Sequence, residues 1–118
     1  MKLYGEEHER ALRAAYNYAL SFLRLQRFEE VKALLRRKLP VARRVLGNEH
    51  EVTLSIRLDL CRATLDGESL AEEKREALRM LEEVAGVMRR VMGPAHPDTL
   101  HTHGVLKFYR RKFPGPTA

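Results

Sequence analysis

Apolar residues recur every three or four positions along most of this chain, which is the spacing of one face of an α-helix. The pattern covers five stretches, at residues 9–25, 28–46, 53–65, 69–92 and 97–113. Glycines follow two of them directly, at Gly47 and Gly93, as is typical of helix C-termini. The pattern therefore predicts an all-α chain of about five helices.

A short unit that starts with glycine and ends with histidine occurs three times. The copies are Gly5-Glu-Glu-His8, Gly47-Asn-Glu-His50 and Gly93-Pro-Ala-His96. They start 42 and then 46 residues apart, and a period of this size indicates stacked helical repeats. Such an array usually presents a surface rather than a reaction centre. The three histidines are expected to serve the helix starts, and the four extra residues of the second unit to lengthen its turn or a helix.

Several residues predict where individual helices begin, bend or end. Pro40 lies inside the second stretch, so a kink or a local bend is expected there, with a break into two helices as the alternative. Ser69 is the predicted N-cap of the fourth helix, with Glu72 completing a capping box. Pro97 suits the first position of the fifth helix.

The N-terminal residues resemble the end of a repeat. Leu3-Tyr4-Gly5 corresponds to Leu46-Gly47 and Met92-Gly93, which close the later helices. The chain is therefore expected to begin in the last residues of an earlier repeat. Two explanations stay open: the chain is a fragment of a longer array, or another chain covers its first repeat.

Composition indicates a globular protein with a basic balance of charge. Apolar residues make up 44% of its 118 residues and charged residues 32%, with a net charge of +6. No apolar run approaches the length of a membrane span, and the N-terminus has no apolar core of a secretory signal. Cys61 is the single cysteine, so no internal disulfide forms, a cytoplasmic location is expected, and a small core residue is its predicted role.

The first unit carries the residues of a family resemblance. It reads Gly5-x-x-His8-x-x-Ala11-Leu12, then Asn17-Tyr18-Ala19-x-x-Phe22, then Gln26-Arg27-Phe28. With the third opening, Gly93-Pro-Ala-His96-Pro97-Asp-Thr99-Leu100, this resembles the tetratricopeptide repeat (TPR), in the 42-residue variety of kinesin light chains. Gln26 departs from the pattern, since the family often has glycine there, and so does Lys38, which replaces a small residue.

The resemblance implies a right-handed superhelix and a scaffold that is not an enzyme. The implied domain spans 1–113, with repeats at 5–46 and 47–92, a capping half repeat at 93–113 and a disordered tail at 114–118. Such a scaffold binds a peptide or protein segment in a concave groove, which the first helix of each pair lines.

The groove positions follow by register from the resemblance. In the first unit they are Arg13, Tyr16, Asn17, Leu20 and Arg24. In the second they are Ser55, Leu58, Asp59, Arg62 and Asp66, and in the third His101, Gly104, Val105, Phe108 and Lys112. Asn17 matches an asparagine that in family members often holds the backbone of a bound peptide. Its amide has the donors and the acceptor for that role, although a solvated asparagine is the alternative.

Four of these groove positions are cationic, which bears on the charge of the expected ligand. Arg13, Arg24, Arg62 and Lys112 would give a basic groove for an acidic peptide, with Asp59 and Asp66 neutralising part of it. Ordinary surface charge is the alternative.

Other functional classes have weaker support. Four arginine doublets suggest a polyanion or nucleic acid, but no aromatic ladder accompanies them. No cofactor or metal is expected, because His101 and His103 point to different sides of a helix. No acid pair, triad or phosphate loop indicates catalysis. The remaining alternative is an assembly module that stacks through exposed repeat ends, as a homo-oligomer or with adjacent repeats of a longer chain.

Overall fold

The computed structural model describes residues 2–113, and the tail expected at 114–118 lies outside them. The helices of the described part are α1 Lys2–Arg24, α2 Phe28–Val45, α3 Glu51–Asp66, α4 Ala71–Val91 and α5 Pro97–Lys112. Residues 2–113 contain no strand. The all-α, TPR-like repeat fold predicted from the sequence is confirmed.

Helix α3 lies at the centre of the packing. Each helix packs against its neighbours in sequence, and α1 also contacts α3 directly. Every residue of α3 from Val52 to Leu65 is buried except Ser55 and Arg62. One apolar cluster joins α3 to α1 and α2, and another joins it to α4 and α5. Because a fully buried leucine stabilises the fold by about 1.5–3 kcal/mol, α3 holds the two halves of the stack together.

The α2–α3 and α4–α5 junctions repeat the same geometry. Gly47 and Gly93 adopt φ angles of +98° and +102°, the left-handed region that favours glycine after a helix. Three residues later, His50 and His96 are the N-caps of α3 and α5. The Nδ1 atom of each accepts the backbone N–H two residues ahead at 3.0 Å. The predicted role of these two histidines at the helix start is confirmed.

A buried threonine fastens each junction to the preceding helix. Thr53 Oγ1 donates to the carbonyl of Ala42 at 3.4 Å, and Thr99 Oγ1 donates to the carbonyl of Met88 at 3.3 Å. Each threonine occupies the third position of its helix, and each acceptor lies eleven residues earlier. The two junctions are therefore structural copies at an offset of 46 residues.

The first Gly-x-x-His copy differs from the other two. Helix α1 begins at Lys2 rather than at residue 9 and continues through Gly5 and His8. Gly5 therefore does not end a helix as Gly47 and Gly93 do. That the first residues belong to an earlier repeat stays a prediction. A single glycine inside a helix costs only about 1 kcal/mol relative to alanine, and the glutamates that follow it favour the helix.

Helix α2 continues across Pro40 from Phe28 to Val45, so the alternative of a break into two helices does not occur, and the kink stays a prediction. Pro40 and Arg36 are both exposed. Because proline has no backbone N–H, the carbonyl of Arg36 lacks its usual hydrogen bond within the helix. Water can satisfy that carbonyl, which lowers the cost of the proline.

The N-cap of α4 is Leu70 rather than Ser69. The backbone N–H of Leu70 donates to Glu73 Oε1 at 2.9 Å, so the pairing predicted for Ser69 and Glu72 is wrong by one residue. The hydroxyl of Ser69 has another partner, the ammonium of buried Lys32, at 3.0 Å. The ammonium also donates to the carbonyl of Glu68 at 3.2 Å, so this turn is shaped around a lysine of α2.

The four extra residues of the second unit divide between turn and helix. The α3–α4 connection is one residue longer than the α1–α2 connection, and α4 is three residues longer than α2. In this longer turn, a Cβ on Gly67 would lie 2.7 Å from the carbonyl oxygen of Ala63 and 2.8 Å from Phe28 Cβ. Glycine is required there for close approach.

Candidate functional site

A cavity of about 310 Å³ lies between α1, α3 and α5, with Met88 of α4 at its wall. We call it the central cavity. Eight of the predicted groove residues line it: Arg13, Tyr16, Leu20, Ser55, Leu58, Asp59, Arg62 and His101. Arg13, Ser55 and His101 occupy the same position in three successive units, so the stacking of α1, α3 and α5 brings equivalent positions to one place.

The other predicted positions do not line the central cavity. Asn17 is exposed on α1, and Arg24 is exposed in the last turn of that helix. On α5, Phe108 is 57% exposed, and Lys112 Nζ lies 5.9 Å from the centroid of its ring. The last three, Asp66, Gly104 and Val105, also lie outside the lining.

Five lining residues were not predicted from the sequence: Glu51, Val52, Met88, Asp98 and Thr102. Two of them, Glu51 and Asp98, lie in the first turns of α3 and α5. An acidic residue in the first turn of a helix already assigned to the groove is a signal that could have indicated them. Met88 comes from the second helix of its pair, which the register excluded.

Asp59 is a buried carboxylate in the wall of this cavity. It is 2% exposed, and its Oδ2 has no hydrogen-bond partner among the described residues. Arg62 Nη1 lies 3.8 Å from Oδ1, beyond hydrogen-bonding distance. Removal from water raises the pKa of Asp59 from 3.8 to about 6, and the charge of Arg62 opposes this only in part.

Tyr16 and Tyr109 bracket this part of α3. Burial raises the pKa of the Tyr16 phenol, the nearby charge of Asp59 adds to the effect, and the side chain of Ser55 opposes it. The pKa of Tyr109 is also raised, first by burial and then by a hydrogen bond with Asp66. The positive charge of Arg62 lowers the pKa of both phenols and so opposes the effect of burial.

The charges of the cavity wall are mixed, so the expected basic lining is not found there. Its cations are Arg13 and Arg62, and its carboxylates are Glu51, Asp59 and Asp98. Arg13 is already paired, at 2.9 Å from Glu9 and 3.5 Å from Glu51. Of the four cations predicted for a basic groove, Arg24 and Lys112 lie outside the cavity, which removes half of the expected positive charge.

The arginine doublets are partly engaged in contacts within the fold. One arginine of each doublet has a side-chain partner within the described residues: Arg36 with Glu73, Arg43 with Asn48, Arg90 with Glu49, and Arg110 with Glu82. These contacts tie successive helices and junctions to each other. The three glutamates among these partners neutralise part of the positive charge that a polyanion would meet.

Comparison with known proteins gives one family match. The family model of the tetratricopeptide repeat matches residues 69–98, which cover α4, the junction after it and the start of α5. This supports a TPR-type repeat, and such repeats generally mediate protein–protein interaction. No curated protein and no solved structure matches the chain. Within residues 2–113, no helix is long and apolar enough to cross a membrane.

Proposed function

We propose that this chain binds an extended peptide segment of another protein in the central cavity, without catalysing a reaction. The observation that carries the proposal is the meeting of Arg13, Ser55 and His101, three equivalent repeat positions, around one cavity. A repeat array that exposes equivalent positions on one side offers a row of similar contacts, which suits a ligand that is itself a chain.

The chemistry of the cavity wall supports a peptide as the ligand. Ser55, Tyr16 and His101 bring polar side chains that can donate and accept hydrogen bonds, as peptide groups require. Leu20 and Leu58 add apolar surface to the same wall. A volume of about 310 Å³ lies at the lower end for ligand sites, and it suits one or two side chains of a longer segment.

The proposal also covers the groove residues outside the cavity, the variety of the repeat and the location of the chain. Four predicted groove residues lie outside the cavity: Asn17, Arg24, Phe108 and Lys112. We propose that they contact the peptide only where it extends beyond the cavity. The kinesin-light-chain variety of the repeat rests on the 42-residue offset between Gly5 and Gly47. A cytoplasmic location is supported by the absence of a second cysteine.

Selection from a displayed library of random peptides tests the proposal. The bait is the wild-type chain, and Ser55→Arg is the blocked variant, because it places a long side chain in the cavity wall. Gly86→Arg is the matched control: it adds the same residue at an exposed site of α4 where a new Cβ meets nothing within 4 Å. Peptides that bind wild type and Gly86→Arg but not Ser55→Arg support the proposal. Equal binding to all three contradicts it.

A second candidate, assembly through the side of α5, has its own observation. Leu100 and Phe108 are 60% and 57% exposed, and with Gly104 they lie at intervals of four residues on one face. Apolar side chains of this size are usually covered, so a second copy could stack on this face. Assembly predicts that thermal stability rises with protein concentration and that Phe108→Glu abolishes the rise.

A further inference from the structure

The carboxylate of Asp59 is the least satisfied charged group of the central cavity. It is almost fully buried on α3, its Oδ2 has no hydrogen-bond partner within residues 2–113, and its one close cation is 3.8 Å away. Leaving a buried charge without a good partner is costly to a fold. A ligand group that brings positive charge or N–H donors to this carboxylate would remove part of that cost.

The surrounding charges also favour a cation. Glu51 and Asp98 bring two further carboxylates to the same wall. The positive charge of Arg13 is shared between Glu9 and Glu51. The guanidinium of Arg62 also acts on Tyr109, on the α5 side. The wall as a whole therefore has three carboxylates and two guanidinium groups.

The other wall residues suit a long side chain that ends in a charge. Tyr16 brings an aromatic ring, whose face attracts ammonium and guanidinium groups. Leu20, Leu58 and Met88 provide apolar contacts for an alkyl stem. Lysine and arginine side chains have this combination of an apolar stem and a cationic end.

We infer that the central cavity takes a lysine or arginine side chain of the bound peptide, with its cationic end at Asp59. The inference rests on the proposed function and specifies its ligand, and it reverses the acidic peptide expected from the four cationic groove positions. A free N-terminal amine has the same charge and is the competing source of the cation. The side chain is favoured because the wall provides apolar contacts for an alkyl stem. A terminal amine has no such stem.

The test uses peptides selected on the wild-type chain, each then synthesised in three forms: unchanged, with norleucine in place of the enriched lysine or arginine, and with an acetylated N-terminus. Norleucine keeps most of the alkyl stem and removes the charge. We expect norleucine to weaken binding to the wild type by about tenfold or more, the size of one charge-assisted hydrogen bond. Acetylation should change the affinity little. On Asp59→Asn the norleucine penalty should largely disappear, whereas on Glu72→Gln, which removes one exposed charge of α4, it should persist.

A second measurement tests the inference on the unaltered chain, without any substitution. Carbon-detected NMR follows the Asp59 carboxyl group through a pH titration. The pKa of that group should fall when the cationic peptide binds and should not fall with the norleucine form. Selected peptides without lysine or arginine, an equal norleucine penalty on wild type and Asp59→Asn, or loss of binding on acetylation alone would each overturn the inference. The proposed function fails separately, if no peptide distinguishes wild type from Ser55→Arg.

Discussion

Asp59 and Arg62 lie about one helical turn apart on α3, yet their closest charged atoms, Oδ1 and Nη1, are separated by 3.8 Å. At this distance the pair has Coulomb attraction but no hydrogen bond. The carboxylate is buried and the guanidinium is half-buried, so the pair only partly offsets the loss of solvation. The fold therefore gains little from this pair, which leaves Asp59 available to the cationic group that we infer.

Replacement of Asp59 by asparagine should increase stability at neutral pH. The folded-state pKa is about 6, above the ordinary 3.8, so the folded protein binds the proton more tightly than the unfolded chain. The wild-type contribution of this group is consequently most favourable below pH 4 and is lost as the pH rises through 6. Asp59→Asn removes that loss, and the free energy of unfolding at pH 7.5 should rise by on the order of 2–3 kcal/mol.

Urea unfolding of both proteins at pH 4.5 and pH 7.5 measures this difference. The gap between variant and wild type should be small at the lower pH and large at the higher one. Glu72→Gln, at an exposed site, should show no such pH-dependent gap. A gap for Asp59→Asn that does not change with pH would refute the assignment of a raised pKa.

Alanine should have opposite effects at two glycines. Gly67→Ala brings a Cβ within 2.8 Å of both a carbonyl oxygen and Phe28, so the turn must shift, and we expect a loss of about 1–3 kcal/mol. Gly86→Ala meets no atom within 4 Å on α4 and should stabilise the chain by about 0.5–1 kcal/mol. Thermal unfolding of the two variants checks both signs. Two shifts of the same sign would contradict the close packing of the α3–α4 turn.

The junction threonines should contribute through their hydroxyl groups. Thr99→Val keeps the shape of the side chain and removes the bond to the carbonyl of Met88, which should cost about 1 kcal/mol. Thr102→Val is the control, because Thr102 Oγ1 donates to the Met88 sulfur, a weaker acceptor, and should cost less. Equal losses from the two variants, measured by urea unfolding, would mean that the junction bond is not the source of the effect.

The histidine caps predict a difference between two substitutions of one residue. His96→Ala removes the acceptor for the Asp98 N–H and should lower the free energy of unfolding by about 1 kcal/mol. His96→Asn offers an oxygen acceptor in a similar place and should retain most of the stability. If both variants lose the same amount, the histidine stabilises the junction by packing rather than as a cap.

Periodicity predicted the helices and the register well, because apolar spacing and glycine punctuation are local properties of the chain. It failed at two positions near helix starts, Ser69 and Gly5. Ser69 has the residue type of an N-cap, but Lys32, 37 positions earlier, engages its hydroxyl. Gly5 repeats the letters of Gly47 and Gly93, but it lies inside α1. Sequence spacing does not reveal either effect.

Register also located only part of the candidate site. It selects the side of each helix, which placed Arg13, Ser55 and His101 in one set. It does not determine how closely the helices approach, so it could not tell that Asp59 is buried while Asn17, its counterpart in the first unit, is exposed. The cavity depends on that depth.

The most direct test of peptide binding in the central cavity is to map the changes in backbone amide NMR chemical shifts when a selected peptide is added to the isotope-labelled chain. If the peptide binds in the central cavity, the largest changes fall on Tyr16, Ser55, Asp59 and His101. The Gly86→Arg variant should give the same pattern of changes when the peptide is added. Changes confined to exposed residues of α4 that do not line the cavity, such as Arg79 and Glu83, would contradict the assignment of the central cavity as the binding site.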